Sequence, residues 1–226
     1  MFNPNRSDIK FYKDFNVLVI ENAFDIDTNK MILNEMIANK PNYTLAKVGL
    51  NDGIIENIRH NLSCYYDDLY SNARHESVLL REIDFLFHSS FKTLLLSMDG
   101  FPFSFIHNTN RHETQVSRYG DSNDHYNYHI DSFGPFERIV TIVYYAYKEP
   151  KKFTGGEITF SNNLMYENNE ERCLTNDVEK ELKIEPKNNM LVVFSSFKPH
   201  SVLKTTSPEN FEDGRFSANI WVGMKP

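Results

Sequence analysis

His129 and Asp131 put an imidazole and a carboxylate two residues apart, the spacing that sends both side chains to one face of an extended strand. From a rigid strand they can converge on one cation. A further His from a distant strand would complete two imidazoles and one carboxylate on one face of an octahedron, a set that suits Fe(II) and leaves positions open for a substrate and O2. His200, just after the Phe197-Lys198-Pro199 corner, is the best candidate. The tripeptide decides little by itself: with eight His and 31 acidic residues among 226, a His-x-Asp/Glu pairing is expected about once by chance. His200 alone fits a hydrogen-bonded corner histidine equally well.

Arg215 shifts that balance. Residues 216–222 read as a strand, and alternation from Arg215 onward places Arg215, Ser217 and Asn219 on one face, opposite Phe216, Ala218 and Ile220. The strand is expected to neighbour the one that His200 opens. A guanidinium inside a β core needs an anion, because an unpaired buried charge is costly. A dicarboxylate would supply one through the bidentate fork of arginine. Tyr119 and Tyr145 offer phenolic donors.

The elements that must position these groups lie in the second half of the chain. From residue 112 onward, β-type runs at 114–119, 126–131, 138–147, 157–160, 190–194, 200–204 and 216–222 alternate with turn residues such as Gly134-Pro135 and Asn188-Asn189. Short strands with regular turn signals indicate a sandwich or jelly roll. Before residue 112, a strand at 16–20 precedes Asp25 and Asp27, N-cap candidates for a helix carrying Met31, Ile32, Met36 and Ile37. Further helices are expected at about 54–70 and 77–98. The polar insert 161–183 reads as a loop or lid. The remaining histidines, His60, His75, His88, His107, His112 and His125, read as surface or core-edge residues. The expected architecture is α+β, a jelly-roll core buttressed by N-terminal helices. It forms a single domain over 1–226, with 1–111 as helix-and-strand buttress and 112–226 as core.

Composition narrows the function classes. The net charge of −7 disfavours phosphate backbones and anionic membranes as partners. No apolar run approaches the ~18 residues of a membrane span, and Arg6, Asp8 and Lys10 stand where a signal peptide would carry its apolar block. Two cysteines, Cys64 and Cys173, are too few for a disulfide scaffold or a Cys-based zinc module. The expectation is a cytoplasmic protein engaging neither nucleic acid nor membrane; no feature specifies an oligomeric state.

Several stretches resemble a known family in order and type. They are Gln115-Val116-Ser117-Arg118-Tyr119-Gly120-Asp121, Tyr126-Asn127-Tyr128-His129-Ile130-Asp131, Arg138-Ile139-Val140-Thr141-Ile142-Val143-Tyr144-Tyr145 and Gly155-Gly156-Glu157. Ile184-Glu185-Pro186-Lys187, Leu191-Val192-Val193-Phe194-Ser195, Pro199-His200-Ser201-Val202 and Gly214-Arg215-Phe216-Ser217 through Trp221 complete the set. Together they resemble the 2-oxoglutarate and Fe(II)-dependent oxygenases, on their prolyl 4-hydroxylase-like branch. One departure is the 15-residue interval from His200 to Arg215, longer than relatives usually show.

The resemblance implies a double-stranded β-helix core with Fe(II) held by His129, Asp131 and His200 as the catalytic centre. It implies 2-oxoglutarate with its C5 carboxylate on Arg215, helped by Tyr145 and Ser217, with Tyr119 beside it. Tyr126 would line the same pocket, Arg138 would face the substrate and Trp221 would close the barrel base. Ascorbate is a candidate addition. The implied activity is a dioxygenase that consumes O2 and hydroxylates a C–H bond of a prolyl or other residue in a peptide or protein. The alternative substrate is a free amino acid or small metabolite. Asp131 favours hydroxylation, since halogenating relatives lack this carboxylate. Trp221 stands where the nucleic-acid demethylase branch carries a second arginine. A different class, a non-enzymatic jelly-roll module binding a sugar or peptide, would not need three metal ligands together with Arg215. Turnover of 2-oxoglutarate to succinate separates the two.

Overall fold

The computed structural model describes residues 8–48, 53–87, 90–98, 100, 102–132, 137–162, 164–167, 170–173, 181–206 and 210–224. The chain opens with β1 (Asp8–Tyr12), β2 (Val17–Glu21), α1 (Ile26–Ala38), β3 (Thr44–Leu45), β4 (Arg59–His60), β5 (Leu62–Tyr65) and α2 (Tyr66–Leu69). Helices α3 (Val78–Phe87) and α4 (Ser90–Leu96) follow, then β6 (Arg111–Tyr119), β7 (His125–His129), β8 (Val140–Ala146) and β9 (Ile158–Ser161). A hairpin of β10 (Leu164–Glu167) and β11 (Glu170–Cys173) precedes β12 (Glu181–Ile184), β13 (Met190–Ser195), β14 (His200–Val202) and β15 (Arg215–Gly223).

Two antiparallel sheets carry the fold. The larger runs β1-β2-β13-β8-β15-β6-β5-β3 and the smaller β12-β9-β14-β7-β4. This is the double-stranded β-helix, with helices packed on the outer face of the larger sheet. Alternation divides each central strand between two cores. Leu18, Ile20, Ile142, Tyr144, Leu191, Val193, Phe216, Ala218 and Ile220 meet Ile32, Met36, Leu79, Leu80, Ile83, Leu86 and Leu95 of the helices. Val17, Val19, Val143, Tyr145, Met190, Val192 and Phe194 belong to a second cluster with Ile158, Phe160 and Ile184 of the smaller sheet. Burial on both faces is why these strands read as continuous apolar runs. Asp25 starts α1 by accepting from the Thr28 backbone N–H at 2.9 Å and the Thr28 hydroxyl at 2.8 Å. None of the helices of the described residues is long and apolar enough to cross a membrane.

Several expectations need correction. The helix expected at 54–70 is instead β4, β5 and the single turn α2, because Arg59, Asn61 and Ser63 are buried polar residues at period two, which no apolar stripe would reveal. Across the expected helix 77–98 the described residues are helical at 78–87 and 90–96. The Arg215 strand does not neighbour the His200 strand: β15 lies between β8 and β6 in the larger sheet, and β14 between β9 and β7 in the smaller. The insert 161–183 holds the β10–β11 hairpin and most of β12, which extends the smaller sheet through β9. Strands before residue 112 complete both sheets, β2 and β5 in the larger and β4 in the smaller. His88 and the expected Gly134-Pro135 turn lie outside the described residues.

Candidate active site

The smaller sheet supplies two imidazoles. His129 ends β7 and pairs directly with His200 of β14, whereas Val202 pairs with Tyr126, so β7 carries one extra residue between these pairs. Such a bulge re-aims side chains. It lets Tyr126 and His129, three apart, meet on one face with ring centroids 3.5 Å apart and planes at 15°. Asp131 is not in the strand, as the spacing suggested, but in the bend just after it. Its N–H donates to the Ser196 carbonyl at 2.9 Å, and its carboxylate accepts from the Thr141 hydroxyl at 2.8 Å. Thr141 also contacts Ser196 Oγ at 2.9 Å. The carboxylate is therefore oriented by the larger sheet.

The donor atoms converge. His129 Nε2 lies 3.7 Å from Asp131 Oδ1 and His200 Nε2 lies 3.5 Å from Asp131 Oδ2. One ligand atom from each residue falls within 4.8 Å of the others. His129 Nδ1 faces the Asn127 carbonyl at 2.8 Å and His200 Nδ1 faces the Lys198 carbonyl at 2.8 Å. A carbonyl only accepts, so each Nδ1 carries the proton and each Nε2 presents a lone pair. Burial, with His200 beside it, pushes the His129 pKa down to about 3. Burial would raise the Asp131 pKa, but His200, His129 and the Thr141 hydrogen bond outweigh it and hold the carboxyl below its ordinary value. Neutral imidazole beside ionised carboxylate is the protonation state a metal ligand requires. Two nitrogens and one oxygen on one side of a cavity fit Fe(II) with open positions.

Across the same cavity, the larger sheet supplies a cation. Arg215 is 1% exposed, and its Nε and Nη1 find no hydrogen-bond partner among the described residues; neither does the buried Tyr145 hydroxyl. The guanidinium carbon lies 4.5 Å from the Tyr119 ring centroid and 4.7 Å from that of Tyr145. Buried donors left this way cost several kcal/mol (about 1–3 each, more when charged), so the site is built for an anion with two oxygens. Ser217, 1% exposed, lies directly across from Tyr145 in the β15–β8 pairing. Gly156 lets the arginine stem pass: its φ is +73°, and a Cβ there would stand 2.7 Å from Thr205 Cγ2 and 2.9 Å from Arg215 Cδ.

His129, Asp131, His200, Arg215, Tyr119, Tyr145, Ser217, Tyr126 and Arg138 all line one cavity of 1220 Å³. Arg138 is held at its edge, with Nη2 on Glu113 Oε2 at 3.0 Å, Nη1 on the Asp131 carbonyl at 3.4 Å and its guanidinium 3.7 Å over the Trp221 ring. Trp221, expected at the barrel base, thus borders the cavity at the far end of β15 from Arg215. His125 does not line the cavity, and His60 pairs with Asp124 at 2.6 Å. Sequence reasoning missed Thr141, although it shares the parity of Tyr145 along β8. It also missed Arg59, hidden by the expected helix.

Residues 114–223 match the model of the 2OG-Fe(II) oxygenase superfamily. An uncharacterised PKHD-type hydroxylase of Synechocystis is 32% identical over 116 residues, half of this chain but only 36% of that protein. Among solved structures, the Trichoplax adhaerens prolyl hydroxylase, in complex with a hypoxia inducible factor oxygen degradation domain peptide, superposes with a TM-score of 0.63 at 17% identity. The match covers 92% of this chain and 84% of that one. A Pseudomonas putida prolyl-4-hydroxylase gives 0.54 at 19% identity, covering 92% of each chain. At these identities the two structures show the shared fold.

Proposed function

We propose, for a chain whose residues 114–223 belong to the 2OG-Fe(II) oxygenase superfamily, that it hydroxylates a C–H bond of a prolyl or other residue in a peptide or protein. The observation that carries the reading is the joint presence, in one cavity, of the His129/Asp131/His200 donor set and the unsatisfied guanidinium of Arg215. His129, Asp131 and His200 hold the metal. Arg215 receives the distal carboxylate of 2-oxoglutarate, Tyr145 and Ser217 add hydroxyl donors to it, and the Tyr119 ring packs against the guanidinium. Thr141 fixes the carboxylate of Asp131. Bound Fe(II) and 2-oxoglutarate supply oxidising power, one oxygen atom of O2 entering the substrate and the other the succinate formed with CO2.

The peptide reading draws support from size. The cavity exceeds the roughly 300–1,000 Å³ of small-molecule pockets. Half-exposed Ile55, Tyr65 and Leu69 border it, as an extended segment would require. Arg138, stacked on Trp221, is placed to meet such a segment. Incubation with Fe(II), 2-oxoglutarate and a proline-containing peptide set should give succinate and a +16 mass shift on a peptide. Succinate formation with free amino acids and with no peptide would overturn the peptide reading. No 2-oxoglutarate consumption under any condition would overturn the oxygenase reading.

A further inference from the structure

The cavity holds a second guanidinium whose charge no described residue neutralises. Arg59 is buried on β4, 7% exposed, and lines the cavity beside Tyr126, with its Cζ 4.7 Å from that ring's centroid. Its Nε donates to Asn61 Oδ1 at 2.7 Å and its Nη2 to Gln115 Oε1 at 2.9 Å. Two longer contacts, Nη2 to Ser117 Oγ and Nη1 to the Lys47 carbonyl, both stand at 3.4 Å. Every one of these acceptors is neutral. Among the described residues no carboxylate comes within 4.0 Å of it.

The three arginines of the cavity thus differ in kind. Arg138 is paired with Glu113 at 3.0 Å. Arg215 matches the cosubstrate. A divalent cation, the Asp131 carboxylate, the Arg215 guanidinium and a dicarboxylate sum to zero charge, which leaves the charge of Arg59 over. Lys47 and Asp68 also border the cavity, but both are solvent-exposed and screened. A fixed buried cation with two short bonds orienting its plane, two long replaceable ones, and the buried hydroxyl of Ser63 lining the same cavity is a receptor for one more anion.

We infer that the prime substrate carries a carboxylate and that Arg59 binds it. One Tyr126 ring separates this cation from His129, so the carboxylate anchors the substrate close to the metal. The inference deepens the oxygenase reading and takes the reaction from it. The carboxylate belongs either to an acidic side chain of a peptide or to the terminus of a free amino acid. A role confined to bolting β4 onto β6 would need the Gln115 and Asn61 contacts alone, and would be indifferent to substrate charge.

The test is binding rather than turnover. Protein loaded with Mn(II) and N-oxalylglycine is titrated calorimetrically with matched acid and amide probes. One arm uses proline peptides with flanking Glu against Gln and Asp against Asn; the other uses free proline and glutamate against their α-amides. The carboxylate member of at least one pair should bind about tenfold tighter or more, as expected for a desolvated charge pair, and the arm that shows this identifies the source. Arg59→Gln should abolish the gap while Arg59→Lys keeps part of it, with thermal unfolding confirming that both variants fold. Equal or undetectable binding of acid and amide in every pair overturns the inference in the unmodified protein, whether or not the variants fold. A gap that survives Arg59→Gln also overturns it. Absent succinate formation would remove the oxygenase reading but not a measured acid preference.

Discussion

Arg215 carries a buried charge to a place where none of the described residues supplies an acid, and the consequence is a site poised for one class of ligand. Arg215→Ala should raise the 2-oxoglutarate KM by about tenfold or more, since truncating a buried charged partner costs about 2–5 kcal/mol. Arg215→Lys should recover part of this, because an ammonium cannot make the forked pair. An unchanged KM in both variants would move the carboxylate site elsewhere. Thr141 acts at one remove: its hydroxyl donates to Asp131 at 2.8 Å without reaching the metal position. Thr141→Val keeps the shape and deletes that bond. Metal affinity, followed by competition with a chelator, should fall by about 10–100-fold, as for other residues that orient a ligand. Retained affinity would show that the Ser196 backbone contact alone holds the carboxylate.

Among the elements, β7, β8, β13 and β15 were legible because runs of β-rich residues were bounded by turn residues, β8 and β13 as continuous apolar runs and β15 with alternation as well. Of the N-terminal strands only β2, expected at 16–20, was legible; β1, β3, β4 and β5 were not. Along β4 and β5 the buried alternate positions are Arg59, Asn61 between the strands and Ser63, so that face is polar and carries no apolar stripe. The two histidines that the structure brings together were legible as a pair of residues, but not the bulge that lines Tyr126 up with His129, since a register shift belongs to the pairing of two strands. The helices are tied to the sheet by their own charged cluster: Arg74 pairs with Asp67 of α2 and, at 2.9 Å, with Asp84 of α3, and contacts His112 of β6. Burial, with the Arg74 charge beside it, pushes the His112 pKa down against the pull of Asp84 and Asp67. The folded chain therefore keeps His112 neutral where the unfolded chain, at a pKa of about 6.5, takes up a proton. Stability should be full above that value and decline as the pH falls from it toward the depressed folded pKa. In His112→Gln the Tm difference between about pH 7.5 and pH 5.5 should shrink; an unchanged difference would place the sensitivity in other groups.

At the scale of the whole molecule, all the proposed metal and cosubstrate residues lie within the 110 residues that match the oxygenase family, yet that stretch is not bounded as a folding unit. β2 covers one side of β13, β5 covers one side of β6, and β4 covers one side of β7. A chain starting near residue 109 would keep His129, Asp131, His200 and Arg215 while baring the edges of β13, β6 and β7. Unpaired strand edges of this kind recruit other chains. Such a fragment should go to inclusion bodies or to large aggregates on size-exclusion chromatography, and a monodisperse fragment that binds metal would contradict this. Resupplying the separate N-terminal piece ought to restore solubility by pairing those edges. Inheritance and folding thus draw their borders at different residues. An insertion placed just before residue 114, harmless to the recognisable signature, would break β6 inside its pairing with β15, between Glu113 opposite Trp221 and Thr114 opposite Ile220, and disturb the cavity without touching a residue of the proposed chemistry.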